Sequence, residues 1–137
     1  MKSLKVVKLL TRVLVGAAAL STLFVFATPA QAGSYDWWAV ETKAADGFAQ
    51  GAGLAHFDAY GEHLYVYDND ADGYGPAAFL LIDGKYYGPF YDKKGYNTHE
   101  PYDLSFAENL KGKLWVCMMN GNKEFLDTCS TRVDIHT

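Results

Sequence analysis

The sequence predicts an all-β fold, an antiparallel β-sandwich of about seven or eight short strands closed by one disulfide. Three observations predict it. Apolar runs are only four to eight residues long and lack a sustained helical period. Glycine, asparagine and aspartate punctuate them at short intervals. Tyrosine, tryptophan and phenylalanine, which favour pleated and half-buried surfaces, make up 15% of the chain.

The first thirty-two residues stand apart from this pattern. Lys2, Lys5, Lys8 and Arg12 form a basic start, Val13 to Ala27 is uncharged and mostly apolar, and Ala30-Gln31-Ala32 fits a small-x-small cleavage site. Residues 1–32 therefore read as a secretory signal peptide. The apolar run is shorter than the roughly 20 residues of a membrane span. The expected mature chain, residues 33–137, has the length of one domain with one core. No membrane association is expected after cleavage, and the expected location is secreted and extracellular.

The strands follow in order. Asp36 to Lys43 opens the domain, and Ala45-Asp46-Gly47 closes that run. Gly53 to Ala59 and Glu62 to Asp68 flank Tyr60-Gly61, which reads as a hairpin turn. A turn there sets Phe57 opposite Leu64, Ala55 opposite Val66, Asp58 opposite His63 and His56 opposite Tyr65. One face is then mostly apolar and the other polar or aromatic, and a slip of one residue would destroy the agreement.

Ala77 to Ile82 is a continuous apolar run that suits a strand buried on both faces. Asp83-Gly84 is the strongest hairpin signal, Lys85 to Phe90 returns, and Pro89 marks an edge or an end. Tyr91 to Tyr96 is a polar loop. Thr98 to Phe106, interrupted by Pro101, is a further strand, and Ala107 to Gly112 is a turn or one helical turn. Leu114 to Met119 is a core strand, Asn120-Gly121-Asn122 turns the chain, and Phe125 to Thr131 comes back.

Cys117 and Cys129 are the only cysteines. In an exported protein such a pair predicts a disulfide, here clasping the last two strands. A loop this short contributes roughly 3 kcal/mol by the chain-entropy model. Across a tight turn at Asn120-Gly121 the two residues are out of register. A longer loop, or a bulge near Lys123 to Phe125, would bring them opposite.

Charge restricts function. After removal of the signal, eight basic residues face sixteen acidic ones, a net charge of −8. Such a surface repels phosphate backbones, so nucleic-acid binding is not expected. It suits cationic partners or divalent metal.

The sharpest local motif is Asp68-Asn69-Asp70-Ala71-Asp72-Gly73. Carboxylates at alternate positions before a glycine can converge on a hard cation, with calcium the expected cofactor. Asp68, Asp70 and Asp72 would supply side-chain oxygens and Tyr74 a backbone carbonyl. The motif departs from the helical calcium loop in two ways. Phe79 stands where a bidentate glutamate belongs, and the flanks read as strands. Without a further acid nearby, the binding expected is weak. The same residues also suit a plain turn, where aspartate and glycine serve the backbone.

The order Ala55-His56-Phe57, Tyr60-Gly61-Glu62, Leu64 to Asp68, Ala71-Asp72-Gly73 and the late Val116-Cys117 with Cys129 resembles a group of small secreted bacterial proteins of unknown function. These share a strand-Asp-x-x-Ala-Asp-Gly pattern and a late cysteine pair. The resemblance implies a compact exported β domain and brings no catalytic residue.

Two further groups carry functional expectations. Tyr86, Tyr87, Tyr91 and Tyr96 crowd one stretch and could stack on sugar rings or anchor a protein. An extracellular glycan or protein is thus the expected partner, and the expected function is non-enzymatic binding or a structural role. His56, Asp58 and His63 would share one hairpin face and could bind zinc or act as an acid–base pair. They define the alternative, a small secreted hydrolase. Ser34, Ser105 and Ser130, the serines of the mature chain, lie in no nucleophile-elbow motif.

Overall fold

Two antiparallel sheets face each other in the computed structural model of the protein, which describes residues 36–137. The chain divides into two units, Met1–Gln31 and Ala32–Thr137, and all described residues belong to the second. The signal peptide expected over residues 1–32 lies outside the described residues. The first sheet has strand order β1-β2-β3-β6, with β1 Trp37–Glu41, β2 Gly53–Asp58, β3 His63–Asp68 and β6 Thr98–Asp103. The second has order β5-β4-β7-β8, from β4 Gly75–Ile82, β5 Lys85–Tyr91, β7 Lys111–Asn120 and β8 Lys123–Glu124. The ninth strand, β9 Val133–His136, also pairs with β7. Among the described residues no helix is long and apolar enough to cross a membrane.

The β2–β3 register is the one the hydrophobic pattern demands. Ala55 pairs with Val66, His56 with Tyr65, Phe57 with Leu64 and Asp58 with His63. Period-2 alternation sends Ala55, Phe57, Leu64 and Val66 inward, where all four are fully buried. They meet Ala78, Leu80 and Ile82 of β4, Leu114 and Val116 of β7, and Ile135 of β9 in one core. Each large side chain fully buried there is worth about 1.5–3 kcal/mol.

Pro89, expected at an edge or an end, lies in β5, and Pro101 lies in β6, the outer strands of their sheets, while Pro76 is the second residue of the inner strand β4. The apolar run of β4 is only partly buried on its second face. Ala78, Leu80 and Ile82 point to the core, while Phe79 and Leu81 point away and are half-buried. Gly53 is required by close approach of the sheets, since a Cβ there would lie 2.4 Å from Pro76 Cβ.

The end of the chain departs from the expected hairpin. Gly121 and Asn122 make a tight turn that pairs Asn120 with Lys123, but the ladder stops at Glu124. Phe125 to Thr131 is not a strand. A 3₁₀ turn, Leu126–Thr128, carries Cys129 back beside Cys117, and the disulfide closes with Cα atoms 4.1 Å apart. Hydroxyls replace the missing ladder: Thr128 Oγ1 accepts the Met118 N–H at 3.0 Å, and Ser130 Oγ accepts that of Val116 at 3.1 Å. β9 was not expected, because Val133 and Ile135 are its only apolar residues.

Candidate functional site

The two sheets expose very different outer faces. On the first sheet, the alternation that buries Phe57 and Leu64 turns His56, Asp58, His63, Tyr65 and Tyr67 outward. Strand pairing adds Trp37 beside β2 and His99 beside Tyr67. The rings form a continuous band across four strands. Trp37 meets His56 edge-on at 5.4 Å, His56 lies 5.9 Å from Tyr65, and His99 lies 6.0 Å from Tyr65 and 5.1 Å from Tyr67. Trp37 is 60% exposed. A groove of about 450 Å³ runs along this face, lined by Trp37, Ala39, Leu54, His56, Asp58, Tyr67 and Asn69.

The groove holds two polar side chains close together. His56 Nε2 is buried without a hydrogen-bond partner and sits 3.6 Å from Asp58 Oδ1. Burial pushes the Tyr67 hydroxyl above its ordinary value, and the nearby Tyr65 and Asp58 raise it further. His63, opposite Asp58 in the ladder, bonds Asp103 through Nδ1 at 2.8 Å instead. The expected sharing of one face by His56, Asp58 and His63 is therefore realised, but His63 is engaged with Asp103. No serine or cysteine occupies an outward position of these four strands.

The tyrosine stretch does not form a single platform. Tyr86 and Tyr87 are adjacent in β5 and point to opposite sides, because β-strand side chains alternate. Tyr87 packs inward against Phe106 at 4.9 Å. Tyr86 is exposed beside Trp115 on the outer face of the second sheet. Tyr91 donates its hydroxyl to the Gly121 carbonyl at 2.6 Å, and Tyr96 lies in a loop at the rim of the acidic cleft.

That cleft, about 420 Å³, is formed where the chain crosses between the sheets twice. One crossing, residues 69–74, leaves β3, and the other, residues 92–97, leaves β5. Asp68 and Asp92 lie side by side at their starts and are both buried. Asp92 Oδ2 accepts the Asp68 N–H at 3.1 Å, and Asp92 Oδ1 accepts that of Lys94 at 2.8 Å. Asp68 Oδ1 accepts the Asp70 N–H at 3.2 Å, and Asp72 Oδ1 accepts that of Tyr74 at 2.8 Å. Each of these carboxylates thus closes a turn. Gly73, at φ +80°, supplies the left-handed residue this loop needs.

Burial raises the Asp68 carboxyl above the usual carboxylate range. The Asp70 N–H bond opposes that shift, and Asp72, Asp92 and Asp70 add to it. Asp72 Oδ2 is buried without a partner. The oxygens are not gathered as tightly as metal ligands. Among the described residues, the one set of three side chains with donor atoms within 4.8 Å of one another is Cys117, Glu124 and Cys129, whose sulfurs are joined as the disulfide.

No family model, curated protein or solved structure matches the chain. Among the residues of these sites that the sequence does not single out are Asp92 and Tyr67. Asp92 had one local signal, an aspartate ending a strand three residues before a glycine. Tyr67 was hidden in an alternation that reads equally well as ordinary sheet surface.

Proposed function

We propose that this protein is an exported, non-enzymatic glycan-binding module whose binding surface is the outer face of the β1-β2-β3-β6 sheet. The observation that carries the reading is the open band of rings, from Trp37 through His56 and Tyr65 to Tyr67 and His99, along a shallow groove. Sugar rings stack their apolar faces on such side chains, and Asp58 and Asn69 at the groove provide hydrogen-bonding groups for hydroxyls. Export is supported by the signal-like residues 1–32 and by the disulfide, which persists in oxidising compartments. Screening the purified protein against a glycan array and insoluble polysaccharides tests the reading. Binding that disappears in Trp37→Ala and survives Tyr86→Ala supports this face; retention in Trp37→Ala overturns it.

A second reading is calcium binding at Asp68, Asp70, Asp72 and the Tyr74 carbonyl, with Asp92 as the further acid. It is favoured by the partnerless Asp72 Oδ2 and by the crowding of Asp68 and Asp92 in one cleft. Calorimetry with calcium and with chelator tests it. An increase in melting temperature that Asp70→Ala abolishes supports it, and an unchanged melting temperature removes it.

A further inference from the structure

The charge of the groove specifies its ligand more narrowly than its rings do. Across the four strands, the outward positions include Glu41, Asp58 and Asp103 and no lysine or arginine. Lys94 reaches the far strand, where its ammonium donates to the His99 carbonyl at 3.2 Å and pairs with Glu100 at 3.7 Å. Asp58 lies at the groove. Its carboxylate is 3.6 Å from His56 Nε2, beyond hydrogen-bond distance and an ion pair only when that ring is protonated, and its side chain is 35% exposed. Its charge contributes to the upward shift of the Tyr67 hydroxyl, so its field reaches the groove wall. The π faces of Trp37 and Tyr67 are themselves electron-rich. An apolar groove with electron-rich walls and one available carboxylate repels anions and attracts a cationic group.

We propose that the ligand is a glycan bearing free amines, a deacetylated amino-sugar polymer, with a protonated amine placed against Asp58 and a neighbouring sugar ring on Trp37. The inference rests on the sheet-face reading and adds the ligand's charge to it. A sugar amine satisfies both parts of the groove at once: the pyranose face stacks, and the ammonium pairs with the carboxylate over the ring faces.

The test is a titration of the purified protein, near neutral pH and at low salt, with three probes: an oligomer of glucosamine, the same oligomer N-acetylated, and choline. The glucosamine oligomer is expected to bind at least about tenfold more tightly than the acetylated one, a difference within reach of one desolvated cation contact. Added salt should reduce the preference. Asp58→Asn should remove it, and Trp37→Ala should abolish binding of both oligomers. Equal affinity for the two oligomers, with loss in Trp37→Ala, overturns the cationic inference and leaves glycan binding standing. Choline bound as tightly as the glucosamine oligomer overturns the assignment to a sugar amine. Binding of none of the three overturns the amine inference, and the glycan array then decides the sheet-face reading separately.

Discussion

Each sheet carries aromatic side chains on its outer face, and the two faces treat them oppositely. On the second sheet, Phe79 stacks on Trp115 at 5.4 Å and 9°, and Arg132 covers the indole at 4.3 Å. Trp115 is left 5% exposed. On the first sheet nothing comparable covers Trp37, which is 60% exposed. A ring packed between a stacked phenyl and a guanidinium contributes to stability. A ring left open over a groove contributes little to the fold and is available to a ligand. Composition cannot make this distinction, since both faces are rich in rings.

Removing one tryptophan from each face separates a structural ring from an open one. Trp115→Ala should cost about 3–5 kcal/mol in denaturant unfolding, through lost burial and an unfilled space. Trp37→Ala should cost less than about 1 kcal/mol while abolishing ligand binding. Similar losses from both would erase the difference between the faces.

The disulfide sharpens the same contrast, because it secures the side of β7 that β4 does not cover. Replacing Cys117 and Cys129 together by alanine should cost about 3 kcal/mol. Ligand binding on the opposite sheet should persist wherever the protein remains folded. Thr128→Val is the next smaller change. It leaves the Met118 N–H without its buried acceptor and should lower stability by about 1–3 kcal/mol, measured as a shift of the urea midpoint.

The smallest effect expected lies at the acidic crossing. Because burial and the neighbouring carboxylates raise Asp68, the folded protein holds that proton more tightly than the unfolded chain. Stability attributable to Asp68 is therefore greatest below its unfolded value of about 3.9 and falls as pH rises through its raised folded value. Asp68→Asn, which keeps an oxygen for the Asp70 N–H, should flatten that slope. At neutral pH it should raise the melting temperature. A melting curve that loses temperature in Asp68→Asn at neutral pH would show that the ionised form is needed there.

Much of the first sheet was legible in the sequence. The alternation of Ala55, Phe57, Leu64 and Val66 permits one register, and that register alone turns His56, Asp58 and His63 outward together. The cleft was legible only in half. Asp68, Asp70 and Asp72 announce a turn, but Asp92 arrives from 24 positions away because the two crossings happen to leave their sheets at the same end. The tyrosine stretch misled for a simple reason: density along the chain is not density in space, and a strand sends Tyr86 and Tyr87 to opposite sides.

The sequence alone set the existence and order of the strands up to Met119, though not their ends (β6 stops at Asp103 and β7 starts at Lys111), together with the β2–β3 pairing and the cysteine partners, because period-2 patterning, turn residues and a single pair of thiols are local or exclusive constraints. Only the tertiary structure decided which aromatic face is covered and which is open. It also decided that a 3₁₀ turn carries Cys129 to Cys117, and that Asp92 completes the acidic cleft. Those outcomes depend on contacts between residues far apart in the chain, and no local pattern encodes which distant side chain will arrive to fill a given space.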